Sequence, residues 1–76
     1  MYRLKFIAEV SRFAGFDDLI ANVCFVHGVG NNTDVSRGWL INTYRVELYG
    51  NKDSVGNAYT AIKLSLREYS EKFQET

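Results

Sequence analysis

Proline is absent from the 76 residues, cysteine and histidine occur once each, and nine Lys and Arg stand against nine Asp and Glu. Each scarcity excludes something. A lone Cys24 forbids an intramolecular disulfide, the usual staple of small secreted domains. With no apolar segment leading the chain, the expected setting is reducing and cytoplasmic. One His and one Cys cannot furnish a tetrahedral nitrogen and sulfur site, so neither a metal nor another cofactor is expected. A formal net charge of +0 gives no strong pull toward nucleic acid or anionic lipid. No run of about 18 apolar residues exists, so no membrane-spanning helix is expected.

Catalytic sets are equally scarce. His27-Gly28-Val29-Gly30 has no G-x-S-x-G elbow to accompany it; the nearest segment, Asp34-Val35-Ser36-Arg37-Gly38, puts Asp where the first glycine belongs. Gly28-Val29-Gly30 begins a G-x-G-x-x-G, but Thr33 stands in place of the third glycine and no Walker lysine follows. An enzyme is not expected.

What is present is a core. Hydrophobic residues make up 46% and aromatics 14% of the chain, and aromatics bury much area per residue. Seventy-six residues make one domain, 1–76. Residues 2–10 alternate, with Tyr2, Leu4, Phe6, Ala8 and Val10 on one side and Arg3, Lys5, Ile7 and Glu9 on the other. That is a half-buried strand. Residues 11–18, with Gly15, Asp17 and Asp18, suit a turn.

Residues 19–27 are almost continuously apolar, a pattern shared by buried strands and buried helices. Val23, Cys24, Phe25 and Val26 favour a strand. Residues 28–38 hold three glycines and two asparagines and form the expected long loop. Residues 39–49 alternate again: Leu40, Asn42, Tyr44, Val46 and Leu48 against Trp39, Ile41, Thr43, Arg45, Glu47 and Tyr49. From Val55 the spacing becomes helical, through Tyr59, Ile62, Leu66, Tyr69 and Phe73, with Asp53 or Ser54 as the cap.

The expected fold is therefore α+β, a three-stranded antiparallel sheet with one C-terminal helix packed on one face (β-β-β-α). The uncovered face would carry Ile7, Trp39, Ile41 and Tyr49 among charges, which suits a partner surface. Trp39, Ile41, Arg45 and Tyr49, with Arg37, Asn31 and Asn32 of the loop, are the candidate partner-binding residues, since aromatics and Arg dominate interface energy. The function expected is that of a small non-enzymatic protein-binding module. Small chains without cysteine pairs, proline or a catalytic set fit the inhibitors that phages and mobile elements encode, which occlude a partner's surface. A homodimer by edge pairing or face packing would also cover the free face. Nucleic acid is the alternative partner, through Arg3, Lys5 and Arg45 with Trp39 for stacking; Glu9 and Glu47 on the same face oppose it.

One family likeness bears on the second alternative. Val26-His27-Gly28-Val29 resembles the V-Q-G-V of acylphosphatases, and Gly38-Trp39-Leu40-Ile41-Asn42 is similar to their G-[aromatic]-x-x-N strand. Arg45-Val46-Glu47 and Gly50 continue it. The resemblance implies a strand-built phosphate loop with Asn42 at the position of the catalytic asparagine. It covers residues 26–50 and places the family's loop arginine on Asn32, so no catalytic residue is assigned from it.

Overall fold

The computed structural model describes residues 1–66 and the backbone of Ser70–Glu75. The elements are β1 (Tyr2–Ser11), α1 (Phe16–His27), β2 (Gly30–Ser36), β3 (Ile41–Gly50), α2 (Lys52–Ser65) and β4 (Ser70–Glu75). The four strands form one antiparallel sheet in the order β2-β3-β1-β4. Two split β-α-β units interlock in it. The first carries the chain from β1 through α1 to β2, leaving room for β3 between. The second runs from β3 through α2 to β4, which takes the far side of β1.

The two outer sequence patterns translate directly. Phe6, Ala8 and Val10 of β1 and Tyr44, Val46 and Leu48 of β3 are buried on the helix side. In register, Phe6 faces Val46 and Ala8 faces Tyr44. Val55, Ala58, Tyr59 and Ile62 form the buried stripe of α2. Phe6 and Tyr59 meet ring to ring at 5.3 Å between centroids.

The sheet has four strands with two helices rather than three with one, and four further expectations are corrected. Residues 19–27 belong to a helix. Its buried residues Phe16, Ile20 and Cys24 are four apart, and Leu19 and Val23 pack on the core between them. Phe25 and Val26 are exposed, and these two side chains made the run look apolar on both sides. Asp17 and Asp18 occupy the first turn, where the helix dipole favours negative charge. Gly28 ends the helix in the left-handed conformation at φ 65°, its amide donating to the carbonyls of Cys24 and Phe25.

The expected loop of 28–38 is mostly strand β2. An edge strand can be polar because one of its sides meets water. Asn31, Thr33 and Val35 turn half-buried toward the helices, while Asn32, Asp34 and Ser36 are exposed on the other face. The C-terminal helix stops at Ser65 with Leu66 as its cap. Phe73, expected on the helical stripe, lies in β4 opposite Ala8; Tyr69 lies outside the described residues. Asn51, not Asp53 or Ser54, caps α2: its Oδ1 accepts from the amides of Asp53 at 2.9 Å and Ser54 at 3.3 Å.

Candidate functional site

Both helices lie on one side of the sheet, so the other side is open. Arg3, Lys5, Ile7 and Glu9 of β1, Ile41, Thr43, Arg45, Glu47 and Tyr49 of β3, and the alternate residues of β2 from Gly30 project there. The charges on this face are largely spent on one another. Glu47 takes Arg3 at 3.7 Å and Lys5 at 3.9 Å, and accepts from Asn32 Nδ2 at 3.2 Å. Arg45 donates to Ser36 Oγ at 3.3 Å. Tyr49 lies over Gly30, where an added Cβ would overlap its ring. The face is mixed in charge and holds a depression of ≈ 470 Å³ whose lining includes Lys5, Ile7, Asn32, Asp34, Arg45 and Glu47.

Exposed apolar side chains occur at several places, among them Phe25 and Val26 on α1 and Leu64 on α2, and one group of them stands at an end of the sheet. Trp39, expected in a strand on the open face, is in the β2–β3 connection and 84% exposed. Leu40 beside it is 60% exposed and Phe13, in the β1–α1 connection, 78%. Ile41 begins β3 opposite Ser11.

Arg12 ties the two connections together. Its amide donates to the Leu40 carbonyl at 2.9 Å, and its Nη1 donates to the Trp39 carbonyl at 3.1 Å. Its guanidinium sits 4.8 Å from the centroid of the Phe13 ring. Gly38 makes the turn possible: a Cβ there would run into the backbone carbonyl of Ile41.

Between these connections is a cleft of ≈ 410 Å³ lined by Arg12, Phe13, Arg37, Gly38 and Asn42. Asn42 is the buried polar side chain of the core, 3% exposed. Its Oδ1 accepts from the Gly38 amide at 3.2 Å. Asn42 also lines the cleft. Arg37 reaches Asp17 of α1 at 3.9 Å, with both side chains more than half exposed.

The candidate residues therefore separate. Arg37, Trp39 and Ile41 stand at the apolar end. Asn32, Arg45 and Tyr49 stand on the open face. Asn31 is on neither, since it points to the helix side. There Thr33 Oγ1 donates to its Oδ1 at 2.9 Å, and its side chain also hydrogen-bonds the Cys24 thiol. Arg12, Phe13 and Leu40 were missed. Phe13 stands between Arg12 and Gly15 in a turn, where no strand or helix face is present to bury it; that placement was the available signal.

The segment likened to a phosphate loop is not strand-built: Val26 and His27 end α1, and Gly28 and Val29 lead into β2. Among the described residues no three His, Cys, Asp or Glu side chains come together as a metal site would require, and no helix is long and apolar enough to cross a membrane.

No family model and no curated protein matches this chain. Among solved structures it resembles the de novo designed protein Ferredog-Diesel, at 8% identity and a TM-score of 0.65, over 99% of this chain and 84% of that one. It also resembles LFR1 1, a de novo designed protein with a ferredoxin fold, at 9% identity and a TM-score of 0.50, over 100% of this chain and 84% of that one. At these identities the likeness concerns the fold alone, and the fold is ferredoxin-like: a small single α+β domain.

Proposed function

We propose that the chain is a non-enzymatic protein-binding module that docks through the apolar end of its sheet, and that it acts as an inhibitor by covering the surface it binds. The observation that carries this reading is the exposure of Phe13, Trp39 and Leu40 on two connections already fixed to each other by Arg12. Large apolar groups held rigid in water lose little conformational freedom when a partner covers them. Tryptophan and arginine are the side chains that most often dominate an interface. The open face supports the reading less. It presents no single sign of charge, since Arg3, Lys5 and Arg45 are interspersed with Glu47.

Two comparisons test the proposal. Trp39→Ala should leave the circular dichroism spectrum and the urea midpoint unchanged while weakening capture of a partner by roughly 30-fold, the effect of losing ~2 kcal/mol at a central contact. Tyr49→Ala, on the open face, should cost much less. Equal capture by the chain and Trp39→Ala would refute the proposal. An enzyme of the acylphosphatase kind would instead hydrolyse a generic acyl phosphate and lose that activity with Asn42→Ala; no turnover by the unaltered chain is expected.

A further inference from the structure

The cleft beside Trp39 has a chemistry of its own. The Arg12 guanidinium donates to the Trp39 carbonyl and lies over the Phe13 ring, and meets no carboxylate among the described residues. A guanidinium fixed in this way presents its remaining N–H groups as a planar fork, the shape that grips a carboxylate with two parallel hydrogen bonds. Arg37 lines the same cleft, and its contact with Asp17 is long and exposed, a pair of the kind that contributes little and is readily exchanged. Asn42 lines the cleft too, its side-chain amide held through the Gly38 amide. Two cations and a neutral amide thus line one small volume, and Asp17 contacts Arg37 beside it.

We infer that this cleft receives a carboxylate side chain of the protein partner, an Asp or Glu flanked by apolar residues, gripped by Arg12 and Arg37 beside Asn42. The inference rests on the protein-binding reading and adds the chemistry of what is bound. Charge complementarity selects the acidic group. The apolar neighbours follow from Phe13, Trp39 and Leu40 around the rim, where a flanking aliphatic side chain would be covered.

The test is a nitrogen-15 correlation titration of the full chain with acetate, inorganic phosphate, sodium chloride, N-acetyl-Leu-Asp-Leu-amide and its Asn counterpart. Acetate and the Asp peptide should produce saturable shifts at the Asn42 side-chain amide, the Gly38 amide and the Nε–H of Arg12 and Arg37. The Asp peptide should bind at least tenfold tighter than the Asn peptide. Arg12→Gln and Arg37→Gln should each abolish that preference, and Arg45→Gln, on the open face, should preserve it. Shifts that follow ionic strength alone, or phosphate binding without any preference for the Asp peptide, would overturn the inference. The two readings also fail separately. If Arg12→Gln retains partner capture while Trp39→Ala loses it, the acidic anchor is wrong and the module stands. If Trp39→Ala retains capture, the module is wrong even if acetate binds.

Discussion

Single residues in this molecule do work that composition does not announce. Cys24 is one case. It is buried on α1, and burial raises its pKa above the ordinary 9.0, opposed in part by the hydrogen bond from Asn31. The thiol is the favoured form in the folded chain, so its stabilising contribution is complete below pH 9.0 and is lost as pH rises toward the folded value. The difference in urea midpoint between the chain and Cys24→Ala should therefore be constant near neutrality and shrink in the alkaline range. A difference that grew with alkalinity would contradict the burial argument. Labelling by a thiol reagent should be slow in buffer and fast in denaturant. Asn51 is the second case. Its side chain satisfies two first-turn amides of α2, so Asn51→Ala should lower stability by ~1 kcal/mol. Asp53→Ala, which removes no cap, should cost less in the same denaturation assay.

At the scale of elements, the helix α1 separates the observed fold from the simpler one that periodicity suggests. Phe16 stands in a segment whose glycine and paired acids read as a turn, yet it is 1% exposed and its ring meets that of Tyr44 edge-on at 4.6 Å. Phe16→Ala should cost ~3–5 kcal/mol in chemical denaturation, a large share of the ~4–11 kcal/mol available to a domain of this size. A loss below about 1 kcal/mol would return Phe16 to a surface turn.

The strands β1 and β3 and the body of α2 were legible because each buries one side and wets the other, so their periods survive in the residue order. Three features hid the rest. Phe25 and Val26 put apolar groups on the wet side of α1 and erased its period. The polar edge strand β2 carries asparagines and glycine, which also serve turns. At the end of α2, Leu66, Tyr69 and Phe73 continue a helical spacing past the point where the helix stops. Of the site, Trp39 was legible as a conspicuous aromatic but misplaced by a few residues. The cleft was not legible at all, because Arg12 and Asn42 are thirty positions apart and meet only through the pairing of β1 with β3.

For the whole molecule, the arrangement leaves one side of the sheet open and one end apolar, and the account turns on which of the two meets other molecules. The open side carries mixed charges, with Glu47 beside Arg3 and Lys5 and Arg45 bonded to Ser36. The apolar end places aromatic and aliphatic groups in water around a cationic cleft. The most direct measurement is photo-crosslinking in the cell that makes the protein, with benzoylphenylalanine placed in turn at position 39 and at position 49. The account predicts a discrete protein adduct from position 39 and little from position 49. Adducts from position 49 alone, or from neither position, would contradict it.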